Sequence, residues 1–183
     1  MKSSTKKLLL TITGVAIAGF PLASVRANVL VNYPFTGSSR ASTDSDVNSS
    51  ASSITDGAGL TSSVDAARGN PTPALGGISS DQIDGSTNSA AVTANDYVTF
   101  TLTPGSTVSL TSLTLDAANY TNDGTFSAES FFLRSSINGF ASNIGTTQNI
   151  LAGSNGAFAG FSFDLSGASF QNVATPIEFR IYF

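Results

Sequence analysis

The chain has no cysteine, no histidine and no tryptophan. Without cysteine there are no disulfides, so packing and backbone pairing alone must hold the fold. Without cysteine or histidine, zinc sites built on thiolate or imidazole are excluded, as are cysteine nucleophiles and every Ser-His-acid triad. Charge is also scarce, at 11% of residues against the usual quarter. Ser, Thr, Asn and Gly must therefore supply solubility. Lysine is confined to Lys2, Lys6 and Lys7, and the only cations beyond Ala27 are Arg40, Arg68, Arg134 and Arg180. All twelve acids lie beyond Ala27, so that part of the chain carries four cations against twelve acids, a net charge of −8. Nucleic-acid binding needs a basic footprint to release counterions. That footprint is missing, and so is a polybasic membrane patch.

What is present begins with a leader-like segment. Lys2, Lys6 and Lys7 precede an apolar run from Leu8 to Phe20, broken by Pro21, and Val25-Arg26-Ala27 offers a cleavage site before Asn28. Residues 1–27 therefore read as a helical signal peptide, removed after Ala27. The run is shorter than the roughly 20 residues of a spanning helix, so the mature chain is expected to carry no transmembrane helix. The rest, residues 28–183, is long enough for one domain.

That domain reads as strands. Val29, Val31, Tyr33 and Phe35 alternate with Leu30, Asn32 and Pro34, and Pro34 marks an edge strand or a strand end. Residues 36–95 hold no aromatic after Phe35 and are rich in Ser, Thr, Asn and Gly. One or two short strands among long loops are expected there, one of them near Ala51–Thr55. Turns are expected at Asn70–Pro73 and Gly76-Gly77. Order returns with Val98, Phe100 and Leu102. In the run from Thr107 to Asp116 the apolar parity changes between Leu110 and Leu113, which predicts a bulge or a kink. Around the stretch Glu129 to Ser142, Phe126 to Ser135 reads as the central strand of a sheet, turning at Asn138-Gly139 into a strand from Phe140 to Ile144. Its expected neighbours are Thr107–Asp116 and Pro176–Phe183. Short strands follow near Gln148–Leu151 and Phe158–Leu165, with a turn at Asn155-Gly156. No helical period appears after Ala27. The pattern predicts an all-β fold, an antiparallel β-sandwich. Phe183 leaves the last strand with no polar residue after it. That strand either sits centrally in its sheet or has lost a partner strand, and the second reading is the expected one.

Three kinds of chemistry have candidates. Asp44, Asp46 and Asn48 place oxygen ligands at alternate positions, as calcium prefers, but lack the glycine and distal glutamate of an EF-hand loop. Asp81 and Asp84 form a weaker cluster. No other cofactor is indicated. Glu129 and Glu178 are the only glutamates and the only pair considered for glycoside hydrolysis. Pairing with Arg134 and Arg180 on the strand surface is the expected role, and no residue is assigned a catalytic part. Tyr97, Asn119, Tyr120 and Tyr182 are the side chains suited to contacting a glycan.

Four segments carry a family resemblance: Asn32-Tyr33-Pro34-Phe35-Thr36-Gly37, Ala94-Asn95-Asp96-Tyr97-Val98-Thr99-Phe100, the run from Phe132 to Phe140, and Ser162-Phe163-Asp164-Leu165-Ser166-Gly167. Together they resemble bacterial secreted proteins that carry a PEP-CTERM sorting tag. The resemblance implies a lectin-like, jelly-roll sandwich. It also implies export from a Gram-negative bacterium to the cell surface or an exopolysaccharide matrix, the periplasm being the other compartment. Members end in a further strand, a Pro-Glu-Pro motif, an apolar helix and a basic tail. This chain shows none of these, which implies a piece lacking its last strand and tag. The family offers no catalytic motif to match. The expected function is a non-enzymatic surface or matrix protein that contacts polysaccharide or other surface proteins. The alternatives are a carbohydrate-binding module dependent on calcium and a weak glycoside hydrolase.

Overall fold

Alternating apolar residues close into two antiparallel sheets that share one core. The computed structural model describes residues 5–16, 28–35, 39–44, 46–62, 75–79, 88–120, 129–150 and 157–183. The expected turns at Asn70–Pro73 and Asn155-Gly156, and the Asp81 and Asp84 cluster, lie outside these. The strands are β1 (Thr5–Ala16), β2 (Asn28–Tyr33), β3 (Ser49–Ala51), β4 (Thr55–Asp56), β5 (Thr61–Ser62), β6 (Leu75–Ser79), β7 (Tyr97–Pro104), β8 (Val108–Tyr120), β9 (Glu129–Ser135), β10 (Gln148–Ile150), β11 (Ala159–Asp164) and β12 (Ile177–Tyr182). One helix, α1 (Asn88–Ala94), precedes β7.

The first sheet runs β11-β8-β1-β6-β5, with β2 also paired to β1, and the second runs β10-β9-β12-β7-β3, with β4 also on β7. Their inner faces meet in a layer of phenylalanines. Phe131 of the second sheet meets Phe161 and Phe163 of the first edge-on, at centroid distances of 4.9 and 6.1 Å. Phe100 stacks on Phe179 at 5.5 Å, and Tyr33 tilts against Phe100 at 5.3 Å. Each fully buried ring of this size contributes about 1.5–3 kcal/mol of transfer free energy.

The parity change in β8 is resolved as expected. The β1–β8 register passes from Thr13↔Ser112 to Gly14↔Leu110, so Thr111 is the extra residue. Leu110, Leu113 and Leu115 all stay buried as a result. Pro34 follows directly on β2, as a strand end requires. The last strand, expected to have lost a partner, instead lies between β9 and β7 with both edges paired, and the apolar Phe183 at its end is buried.

Gly76-Gly77, expected as a turn, lies inside β6, and among the described residues four strands rather than one or two fall between residues 36 and 95. Four further expectations give way. First, the leader segment is extended rather than helical along Thr5–Ala16. Leu8, Leu10 and Ile12 alternate with Leu9, Thr11 and Thr13, a period-2 pattern that matches strand register as well as an apolar helix. Second, β8 is not a neighbour of β9. It belongs to the opposite sheet, and β9 is flanked by β12 and β10. Third, Asn138-Gly139 does not close a two-residue hairpin, and Phe140 to Ile144 is not a strand. Ser136–Asn138 forms a 3-10 turn capped by Gly139 at φ 63°. Arg134 then ties the following loop down, donating to the Phe140 carbonyl (2.8 Å) and to Asn143 Oδ1 (2.9 Å). Fourth, α1 is a helix with no visible period, because seven residues make two turns and bury only Ala91.

The sparse segment after β2 is anchored by a few polar bonds. Arg40 pairs with Asp56 at 2.9 Å and bonds the Ser62 carbonyl, holding the segment against β4 and β5. The Tyr33 hydroxyl donates to the Ser52 carbonyl at 2.5 Å. Burial, and then the nearby Asp44 carboxylate, push the Tyr33 pKa well above the ordinary 10. A folded-state pKa raised in this way contributes stability below pH 10 that is lost as pH climbs beyond it. The expected alkaline slope is about 1.4 kcal/mol per pH unit. Urea titrations between pH 9 and 11.5 should show that slope in the native chain and a shallower one in Tyr33→Phe.

Candidate functional site on the outer face of the second sheet

Successive residues of a strand face opposite sides, so the polar alternates of β7, β9 and β12 share the outer face of the second sheet. The register sets them in rows. Tyr182 stands opposite Tyr97 and Phe132, and Arg180 stands opposite Thr99 and Arg134. In the first row, Phe132 stacks flat on Tyr182 at 5.0 Å with the planes 4° apart, and Tyr97 tilts on Tyr182 at 5.1 Å. Ala91 of α1 packs on Phe132 and Tyr182, leaving each only 2% exposed.

The second row sets two like charges directly opposite, which is unfavourable unless they part. They do part. The Arg134 guanidinium lies over Phe132 and Tyr182, at 5.3 and 5.8 Å. Arg180 turns the other way. It lies 3.8 Å over the Phe140 ring and 4.5 Å over Tyr97, and its Nε donates to Glu178 Oε1 at 2.7 Å. The Thr99 hydroxyl bonds the same carboxylate oxygen at 3.1 Å and the Phe179 carbonyl at 2.9 Å. Desolvation disfavours the Arg180 charge, and the hydrogen bonds and charges around it, led by the bond to Glu178, outweigh that, so its pKa is raised. The Glu178 and Arg180 side chains remain 33% and 24% exposed. A carboxylate acceptor, a guanidinium donor, a threonine hydroxyl and two rings thus meet at one half-open spot. This set can grip adjacent hydroxyls while a ring covers an apolar sugar face.

The other sequence candidates are dispersed. Tyr182 reaches the site but is buried beneath α1, leaving Tyr97 as the accessible tyrosine there. Asn119 and Tyr120 end β8 in the first sheet, in register with Lys6 and Thr5. Glu129 lies near the far end of β9. Phe179 pairs with Ser135, so the two glutamates are separated by about seven residues along the strands, or about 23 Å. Paired carboxylates for glycoside hydrolysis stand about 5–9.5 Å apart. Glu178 does take Arg180 as its ion partner, as expected, while the Arg134 guanidinium serves the 140–143 loop.

Asp44, Asp46 and Asn48 do come together, but through bonds to one another. Asp44 Oδ1 accepts from the Asp46 amide and Oδ2 from Ser49. Asp46 Oδ1 accepts from the Asn48 amide and side chain, and Oδ2 from Asn28. Every carboxylate oxygen of the pair is engaged, as in Asx-turns that shape a loop. Among the described residues no group of three His, Cys, Asp or Glu side chains gathers as a metal shell. No described helix is long and apolar enough to cross a membrane.

Phe140 and Thr99 are the site residues that pattern reading passed over, and Arg180 was read only as a surface ion partner. The signal was present in Glu178-Phe-Arg180-Ile-Tyr182, whose alternation puts all three polar side chains on one face. Comparison with protein-family models, curated proteins and solved structures gives no match.

Proposed function

We propose that this is an exported, non-enzymatic β-sandwich protein of the cell surface or exopolysaccharide matrix, which holds polysaccharide at Tyr97, Thr99, Phe140, Glu178 and Arg180. The observation that carries this reading is the partly exposed Glu178–Arg180 pair at 2.7 Å, whose guanidinium lies against two aromatic rings. The leader-like charge pattern of residues 1–27 supports export. The resemblance to PEP-CTERM-tagged proteins supports a jelly-roll connectivity and a Gram-negative surface. The distance between the glutamates weighs against hydrolysis. The carboxylate oxygens of Asp44 and Asp46, each already accepting a hydrogen bond within the loop or from Asn28, weigh against a calcium-dependent grip.

Affinity electrophoresis through gels cast with neutral or acidic exopolysaccharide tests the reading. The native chain should be retarded, equally with and without chelator. Arg180→Ala and Tyr97→Ala should each weaken the apparent affinity by about tenfold, the equivalent of about 1.4 kcal/mol for a charge-assisted or ring contact. No retardation in either gel overturns polysaccharide binding. Retardation abolished by chelator moves the function to the calcium reading.

A further inference from the structure

The segment that looks like a leader occupies an interior place in a sheet. β1 pairs with β8 from Thr5↔Tyr120 to Ala16↔Val108, and on its other edge with β2 from Leu10↔Tyr33 to Gly14↔Asn28 and with β6 at Lys6↔Ile78 and Leu8↔Leu75. We infer that the slot between β8 on one side and β2 and β6 on the other is a strand acceptor, which the chain's own residues 5–16 fill before processing and an extended segment donated by another polypeptide fills afterwards. This rests on the reading that residues 1–27 are removed.

The slot does not close by itself. β2 and β8 are both antiparallel to β1 and so parallel to each other, two strand spacings apart, or about 10 Å. To reach β8, β2 would have to slide one full spacing. Val31 and Tyr33 are fully buried, and the Tyr33 hydroxyl is fixed to the Ser52 carbonyl at 2.5 Å. An empty slot therefore exposes the bare edges of β8, β2 and β6 and the apolar residues beside them, the condition that strand addition relieves.

The neighbours also state what the donated strand must be. The position of Leu10 lies between Tyr33 and Leu115, and that of Ile12 between Val31 and Leu113. All four flanking residues are 3% exposed or less. Position 11 lies between Asn32 and Thr114. Thr11 donates to Asn32 Oδ1 at 3.3 Å, and Thr114 donates to the Thr11 carbonyl at 3.3 Å. Past position 12 both registers slip by one residue, at Ile12/Thr13 against β2 and at Thr13/Gly14 against β8. The slot thus takes a strand of about twelve residues that is apolar, hydroxylic, apolar at its centre. It runs antiparallel to both walls, with a small residue such as glycine at the slip.

The test uses the full chain with a protease site inserted between residues 17 and 27, cut after folding. The cut strand should co-elute with the body on gel filtration and exchange with an excess of labelled peptide of residues 5–16. A peptide carrying Leu10→Asp and Ile12→Asp should compete at least about tenfold less well, because it sets two charges in register with buried apolar neighbours. Loss of the cut strand with an unchanged melting temperature, or equal uptake of both peptides, overturns the acceptor. Intact mass of the protein exported from a Gram-negative host tests the other premise. A chain starting at Asn28 supports a slot vacated for a partner. A chain still starting at Met1 overturns donation in trans, even where exchange succeeds, and leaves β1 a permanent strand of the fold.

Discussion

Phe179→Ala is expected to cost about 3–5 kcal/mol, the usual loss for deleting a fully buried phenylalanine. Phe179 is fully buried on the central strand β12, stacked on Phe100 at 5.5 Å and on Phe170 at 6.3 Å. Phe170 reaches it from the 3-10 turn that follows β11, so one ring joins two neighbouring strands of the second sheet to the connection that arrives from the first. The cavity left by alanine has stiff walls, because the register holds Phe100 and Ser135 opposite. Little collapse is available to recover the loss. Domains of this size hold about 5–15 kcal/mol in all, and each kcal/mol moves the melting temperature by about 2–4 °C. Urea and thermal unfolding should thus show a midpoint about 6–20 °C lower. Val47→Ala, at a residue 93% exposed, should move it hardly at all. A Phe179→Ala loss below about 1 kcal/mol would mean that Phe179 is not packed in the core cluster as described.

What the sequence made legible follows from how far each signal acts. Alternation is local, so β7, β11 and β12 were readable, as was the bulge at Thr111 from the offset between Leu110 and Leu113. The central position of β12 is not local. It depends on which strands lie beside it, and Phe183 alone allowed either an interior strand or a missing partner. The pairing of β8 fell the same way, since an apolar strand with one buried face suits either sheet. Asn138-Gly139 carried a strong turn signal, yet the turn type was decided by Arg134. Its bonds to Phe140 and Asn143 pull the loop back along β9 and leave the pairing to β10.

The candidate site shows the same division. That Glu178 and Arg180 share a face was readable from their spacing. That Phe140 supplies one ring of the site depends on its left-handed φ of 62°, which no alternation predicts. That Tyr182 is covered depends on α1, a helix too short to announce itself by period. The accessible part of the face is therefore Tyr97, Arg180 and Glu178, and it stays in place only while α1 is anchored over the aromatic row behind it.

That anchoring gives the second large expected effect, Gly59→Ala. Gly59 lies in the turn between β4 and β5, with its amide bonded to the Asn95 carbonyl at 3.2 Å. A Cβ there would press on the carbonyl oxygen of Ala94, the last residue of α1, and on Asp96 Oδ1, nearer than real side chains approach. Both neighbours are fixed. The Asp96 amide bonds the Ala91 carbonyl at 3.0 Å, closing the helix, and the Asp96 carbonyl accepts from the Phe183 amide at 3.0 Å, holding the end of β12. Overpacking of this kind costs about 1–3 kcal/mol, and backbone obstacles place it at the upper end. The melting temperature should fall by about 4–12 °C. The displaced corner should also loosen α1 over Tyr182. With no tryptophan in the chain, tyrosine emission reports this directly, and iodide should quench it more strongly in the variant. Gly167→Ala, where a Cβ meets nothing within 4 Å, is the matched control and should change neither reading. A stable Gly59→Ala with unchanged quenching would mean that α1 is not held at this corner. The covered state of Tyr182, and with it the boundary of the candidate site, would then have to be redrawn.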